Sequence, residues 1–359
     1  MNIQEMLQLM MNKRASDLHL RSDGPAYLRV DGNLQPISED VVPAPQVEQM
    51  LQAVMTPRAR SIYDKNGECD FAFQVGDVAR FRINAFRQRG LLCVAIRLVP
   101  MKIPSVEELR LPAATIRKIA DNSRGLVLVT GVTGAGKSST LAAMVDYINQ
   151  TRREHILTIE DPIEFVHKDK KCIVSQREIG GDTASFADSL RMDMRQDPDV
   201  ILMGEMRDLE TVSAALTAAE TGHLVFGTLH TIDAVQSIAR IIDLYPPHQQ
   251  ALVRIQLADC LKAVVSQRLL PCLKGGRIPA VEILVVTPHI RKLIEENNGA
   301  AIAQALAKGA FYGMQTFNQS LVKLYKDGLV SEAEVLAAAT NPDDVKLAIR
   351  GVEQEIKTS

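Results

Sequence analysis

The sequence predicts an α/β chain: a phosphate-binding domain built on a parallel sheet, a smaller α+β domain before it and a helical part after it. Three observations predict this. Residues 125–140, GLVLVTGVTGAGKSST, run from a continuous apolar strand through a glycine-rich loop into a helix-compatible stretch. From about 113 to 288, apolar strand-like runs alternate with helical patterns, as they do where parallel strands are joined by crossover helices. Before residue 98 the chain instead alternates with period two between turn signals, the pattern of hairpins. At 359 residues the chain exceeds what one core usually serves, so two domains are expected. The expected division is an N-terminal domain at 1–98, a linker at 99–112, the phosphate-binding domain at 113–288 and a helical region at 289–359.

Ile3, Met6, Leu7, Leu9 and Met10 recur at spacings of three and four, which predicts a helix. Ser16–Leu20, Ala26–Val30 and Leu34–Ile37 read as short strands, the last two joined at Asp31-Gly32. A second sheet portion follows. Asp70–Val75 turns at Gly76-Asp77 into Val78–Phe86, and Gly90 turns the chain into Leu91–Leu98. Pro100 and Pro104 make the stretch from Val99 to Ser105 the best linker candidate.

The loop itself reads Gly131, Val132, Thr133, Gly134, Ala135, Gly136, Lys137, Ser138, Ser139. Its glycines let backbone N–H groups turn inward around phosphate oxygens, and Lys137 brings a charge to the β- and γ-phosphates. The Ser138 hydroxyl suits Mg²⁺. A nucleoside triphosphate, taken as ATP with Mg²⁺, is the expected ligand.

Three further constellations follow. The β-branched run from His155 to Ile159 stops at Glu160, Asp161 and Glu164; at a strand's carboxyl end these carboxylates can orient Mg²⁺ or water, Asp161 and Glu164 being the metal candidates beside Ser138. In Val200–Asp208 four apolar residues form a buried strand, and Glu205 emerges as a candidate for polarising the attacking water. Gly204 stands where an aspartate usually follows such a run, which shifts the catalytic role onto the glutamate. In Thr221–Thr231 a strand core is flanked by His223 and His230, whose spacing fits no common zinc pattern; His230, at the strand's end, is read as a γ-phosphate sensor.

Composition excludes several classes. A net charge of −2 argues against a protein that binds by neutralising many phosphates. The apolar segment from Ala251 to Leu273 is broken by Arg254, Asp259, Lys262 and Arg268, and no run approaches a membrane span. The first residues, MNIQEMLQLMMNKR, have their apolar part before their basic part, unlike a signal peptide, so a cytoplasmic protein is expected. Cys69, Cys93, Cys172, Cys260 and Cys272 are odd in number and hold no close pair, as reduced thiols would.

Taken in order, GVTGAGKSST, ILTIEDPIEF, DPDVILMGEMRD and TGHLVFGTLHT resemble the Walker A, Asp, atypical Walker B and His boxes of the secretion ATPase superfamily. SDLHL at 16–20, LRVDGNLQPI at 28–37, Ser213–Leu216, Arg240–Pro246 and Met314–Leu321 resemble the type IV pilus retraction (twitching motility) ATPases, so the resemblance spans nearly the whole chain. It implies a homohexameric ATP-driven ring at the cytoplasmic face of the inner membrane, peripheral to it and acting on a membrane-embedded pilus platform protein. Each subunit would have a PAS-like N-terminal domain and a RecA-like ATPase domain. The resemblance also implies that Arg82 and Arg97 reach the triphosphate and that Arg191 and Arg195 match the arginines ahead of the Walker B strand. Alternation alone would make Arg82 and Arg97 outward members of a sheet. The family's retraction segment usually reads close to AIRNLI, whereas residues 289–294 are HIRKLI, a departure that leaves an accessory paralogue beside a principal motor as an alternative.

Pilus extension or type II secretion ATPases would share the four boxes but normally carry an extra N-terminal domain and a tetracysteine zinc insertion, neither of which is seen here. A RecA-like nucleic-acid motor is disfavoured by the near-neutral charge and the lack of interleaved aromatic and basic residues. Glu205, Glu160 and the arginines argue against a scaffold that only binds nucleotide.

Overall fold

Reciprocal capping opens the chain. The Asn2 side chain accepts from the Glu5 N–H at 2.9 Å while Glu5 accepts from the Asn2 N–H at 2.8 Å, and helix α1 (Ile3–Asn12) then turns Ile3, Met6, Leu7 and Met10 inward. The computed structural model describes residues 1–350 apart from Asp31, Asp77 and Pro100. The turn residues Asp31 and Asp77, the linker residue Pro100 and the end of the expected helical region at 351–359 therefore lie outside the described residues. The chain divides into two compact units, Met1–Lys102 with Glu164–Val166, and Ile103–Ile163 with the chain from His167 onward.

In the first unit, β1 (Asp17–Arg21), β2 (Tyr27–Val30), β3 (Asn33–Pro36), β4 (Glu68–Val75), β5 (Ala79–Gln88) and β6 (Leu91–Val99) form one antiparallel sheet in the order β3-β2-β1-β6-β5-β4. The two expected sheet portions are thus one. Leu18 of β1 lies opposite Ile96 of β6, and this long-range pairing has no local sequence signal. Helices α2 (Ala44–Gln52) and α3 (Pro57–Asn66) fill the stretch between the strand groups; Thr56 caps α3 and Gly67 ends it in the left-handed region. The core joins Leu18, Leu28, Phe81, Ile83 and Ile96 of the sheet to Met6, Met10 and Val47 of the helices. By register Asp17, Arg29, Arg82 and Arg97 share the opposite face.

The second unit is an α/β layer structure. After α4 (Ala113–Ala120) come β7 (Gly125–Thr130), α5 (Lys137–Thr151), β8 (His155–Glu160), β9 (Ile173–Glu178), α6 (Phe186–Asp193), β10 (Val200–Met203), α7 (Leu209–Glu220), β11 (Leu224–Leu229), α8 (Ala234–Asp243), α9 (Pro247–Cys260), β12 (Leu261–Pro271) and β13 (Arg277–Val285). The sheet order is β13-β12-β7-β11-β10-β8-β9, parallel throughout except that β13 runs antiparallel to β12. The sheet is therefore mixed, because Gly275 and Gly276, both at positive φ, fold β12 and β13 into a hairpin where a crossover helix was expected. The apolar segment 251–273 divides into α9 and β12 at Cys260-Leu261.

Strands β7, β10 and β11 are buried along their whole length, as sheet strands covered on both faces must be. Their alternate residues feed two cores: Leu126, Leu128, Ile201 and Met203 on one side, Val127, Val129, Val200 and Leu202 on the other. Beyond β13 the described chain holds α10 (Pro288–Glu295), α11 (Gly299–Lys308), α12 (Phe317–Lys326), α13 (Glu332–Ala338) and α14 (Pro342–Ile349). The last three pack Phe317, Leu321, Val335 and Val345 against Leu270, Ile278 and Ala280 of the hairpin.

Candidate active site

The strand order brings the sequence motifs to one sheet edge. At the carboxyl ends, Leu229 of β11 pairs with Thr130 of β7, and Met203 of β10 pairs with both Gly227 of β11 and Ile159 of β8. The chain leaving β7 is the glycine-rich loop, and the chains leaving β8, β10 and β11 carry Glu160, Glu205 and His230. Such carboxyl ends are where open α/β sheets bind ligands.

Gly131, Val132, Thr133, Gly134, Ala135, Gly136 and Lys137 make the turn from β7 into α5. Gly131, Gly134 and Gly136 have φ of 143°, 80° and 93°. A side chain at Gly131 is also excluded by space, since a Cβ there would lie 2.5 Å from the Gln267 carbonyl oxygen of β12. Val132, Thr133 and Gly134 are exposed at the crest while Ala135 is buried beneath it. Lys137 opens α5 and donates to the carbonyls of Gly131 at 2.8 Å and Val132 at 3.2 Å, so the loop's own oxygens hold the ammonium over its concavity. Ser138 and Ser139 are half-buried in the first turn of α5, where backbone N–H groups have no helical partner.

Glu205 follows β10 by two residues and is half-buried. His230 Nε2 lies 2.9 Å from Glu205 Oε1, and Arg207 pairs with the same oxygen. Burial pushes the Glu205 carboxyl up, but the Arg207 hydrogen bond and the charges of Arg207, His230 and Lys137 outweigh it and hold it below the usual range. Glu160 sits one strand away and accepts from Thr158 Oγ1 at 2.7 Å and Gln176 Nε2 at 3.0 Å. Asp161 is exposed and joined to Pro162 by a cis peptide bond; Glu164 is exposed and groups with the first unit.

Of the expected arginines, Arg82, Arg97 and Arg191 are ion-paired. Arg97 donates to Asp17 at 2.8 Å and Arg82 lies 3.5 Å from Asp70, both on the outer face of the first unit's sheet. Arg191, at the end of α6, pairs with Glu210 and reaches Asp188 at 4.0 Å. Arg195 is exposed in the short 3-10 turn Met194–Gln196.

No group of three or more His, Cys, Asp or Glu that could hold a metal ion occurs among the described residues. The oxygens at the sheet edge, a serine hydroxyl with carboxylates nearby, suit a hard cation whose other ligands are phosphate oxygens and water, which is how Mg²⁺ is held. They fit Mg²⁺ and do not form a cage of their own. No helix among the described residues is long and apolar enough to cross a membrane.

Sequence reasoning missed the groups that hold the carboxylates. Arg207 lies inside a recognised box, and its spacing of two from Glu205 was the available signal. Gln176 is on edge strand β9, for which the sequence offered no strand assignment.

A triphosphate-binding loop, a carboxylate held beside it and the surrounding α/β sheet define an ATPase of the secretion-system class. The model of the type II/IV secretion system protein family matches residues 1–337, and the chain belongs to that family and is an ATPase. Within it, the chain is 46% identical to the type IV pilus retraction ATPase PilT of Pseudomonas aeruginosa over 344 residues, 96% of this chain and 100% of that one. It is 39% identical over 351 residues to the type IV pilus ATPase PilU of the same organism, covering 98% and 92%. The crystal structure of the pilus retraction motor PilT with bound ADP matches with a TM-score of 0.91 at 46% identity, covering 96% of this chain and 99% of that one.

Proposed function

We propose that this chain hydrolyses ATP to power the retraction of type IV pili, working as a homohexameric ring at the cytoplasmic face of the inner membrane on a membrane-embedded platform protein. The observation that carries the reading is the convergence on one sheet edge of Lys137, Glu205 and His230, in a chain matched along almost its whole length by a retraction ATPase. The second unit is read as RecA-like and the first as PAS-like, dividing near the 99–112 stretch.

ATP would place its β- and γ-phosphates against the N–H groups of the Gly131–Ser139 loop, and Lys137 would exchange two carbonyl acceptors for phosphate oxygens. Ser138, Asp161 and Glu164 are the residues that would hold Mg²⁺, which when bound would supply charge neutralisation at the phosphates. Glu205 stays ionised at neutral pH because its pKa is held down. Its place beside the loop suits it to orient the attacking water. That suffices for phosphoryl transfer through a loose transition state, where positioning and charge dominate. His230, bonded to the same oxygen, is suited to report the γ-phosphate to Glu205. Glu160 supports the water from the neighbouring strand. Arg82, Arg97, Arg191 and Arg195 are proposed to add positive charge around the triphosphate in the assembled ring.

The likeness to PilU favours a second reading, an accessory retraction ATPase beside a principal motor. The HIRKLI segment bears on the choice. Ile290, Leu293 and Ile294 are buried in α10, whereas His289 and Lys292, the two departures, are exposed, so the apolar frame that seats the helix is kept. Deleting the gene and scoring surface pili tests the proposal. An excess of pili that no longer retract is expected; loss of pili would indicate assembly, and retraction that persists at parental frequency would indicate an accessory part.

A further inference from the structure

We infer that Thr228 is a positioning residue for Glu205, acting through the backbone on either side of it; this rests on Glu205 being the residue that orients water. β10 stops at Met203, so Gly204, Glu205 and Met206 have left the strand ladder and need other anchors. Three are present. The Gly204 N–H donates to the Ile159 carbonyl of β8 at 2.8 Å. On the other side Thr228 Oγ1 donates to the Gly204 carbonyl at 2.6 Å, and the Thr228 carbonyl accepts from the Met206 N–H at 3.0 Å. Thr228 therefore brackets Glu205, taking the residue before it with its side chain and the residue after it with its backbone.

The neighbours make this clip rigid. Thr228 is 5% exposed and sits in a strand buried from end to end. Met206 is buried directly over Gly227, where an added Cβ would lie 2.4 Å from its sulfur, so the peptide after Glu205 is held down by packing as well. Two residues beyond Thr228, His230 reaches the Glu205 carboxylate itself. The end of β11 thus fixes the main chain and the side chain of Glu205 together. Only the Gly204 contact depends on a side chain of type Ser or Thr. Without it the Gly204–Glu205 peptide plane loses its acceptor bond on the β11 side and can rotate, which swings the carboxylate away from the water it orients.

A misplacement of about 1 Å at a reacting centre costs roughly 100-fold in rate. Thr228→Val should therefore lower kcat for ATP by roughly 30- to 100-fold while KM stays within about twofold, and Thr228→Ser should return kcat to within about threefold of the parent. Thr228→Ala removes the hydroxyl without adding bulk and carries the same expectation should Thr228→Val not fold; ADP affinity and sedimentation verify each variant. In a Glu205→Gln background, adding Thr228→Val should change the residual single-turnover rate by less than about twofold, since residues acting as a unit are not additive. Parental kcat in both hydroxyl-less variants, failure of serine to rescue, or a full additional loss in the Glu205→Gln background would overturn the inference. Parental turnover in Glu205→Gln itself would instead remove the assignment of Glu205, so the two failures are distinguishable.

Discussion

Replacing Gly131 by alanine should both destabilise the protein and weaken nucleotide binding, and the structure sets the size of the effect. At φ of 143° the residue occupies a backbone region that side chains rarely adopt, which costs on the order of 1–3 kcal/mol. The new methyl would also lie 2.5 Å from the Gln267 carbonyl oxygen and 2.9 Å from the Ala135 Cβ. Neither is the movable end of a long side chain. The first belongs to a central strand of the sheet, so the loop must open by roughly 0.5–1 Å at an overpacking cost of about 1–3 kcal/mol. The combined loss is about 2–6 kcal/mol, or a fall in melting temperature on the order of 10 °C for a unit of this size. Gly134 supplies the control. Its φ of 80° is also left-handed, but no atom lies within 4 Å of an added Cβ, so Gly134→Ala should cost only about 1–2 kcal/mol. Thermal unfolding of both variants, with calorimetric titration of ADP, makes the comparison. Gly131→Ala melting and binding like the parent, or Gly134→Ala proving equally damaging, would refute the close approach of loop and strand.

Two further outcomes are expected. Arg82→Ala and Arg97→Ala should each lower saturated ATP turnover by about 10³-fold or more if these residues act as fingers, whereas losing the exposed Arg82–Asp70 pair should cost no more than about 1 kcal/mol of stability and taking Arg97 from the buried Asp17 carboxylate about 1–3 kcal/mol; parental turnover in both variants would leave them as ordinary strand positions. His167 is held neutral because burial lowers its pKa to about 4, with Nδ1 lacking a hydrogen-bond partner among the described residues. The unfolded chain takes up this proton near pH 6.5 and the folded chain only near pH 4, so the contribution is complete above about pH 6.5 and falls away towards pH 4, by at most about 3 kcal/mol. Urea unfolding between pH 7.5 and 4.5 should show His167→Asn with a shallower loss than the parent; equal slopes would remove His167 from the account.

The sequence made the chemistry of the sheet edge legible because each motif is local. Glycine, lysine and serine at fixed offsets announce a loop that needs no long-range information, and an apolar run ending in Glu205 or His230 tells which end of a strand carries the group. Pairing is a different matter. Nothing near Leu18 signals that it meets Ile96, so one sheet read as two portions. The hairpin of β12 and β13 was hidden because Gly275-Gly276 interrupts apolar strands that look alike whichever way they run. The same limit explains the supporting residues. Thr228 meets Gly204 only after β11 is set between β7 and β10, and Gln176 meets Glu160 only because β9 adds to the sheet beside β8.

The most direct test of the account is ATP turnover by Glu205→Gln, measured together with nucleotide affinity. The amide keeps the shape of the carboxylate and still fits between Arg207 and His230, but it cannot orient and polarise water as the charged group does. Affinity for ATP within a few-fold of the parent with turnover abolished is the predicted result. Parental turnover in Glu205→Gln, with Glu160→Gln the dead variant instead, would contradict the account and move the role to the neighbouring strand.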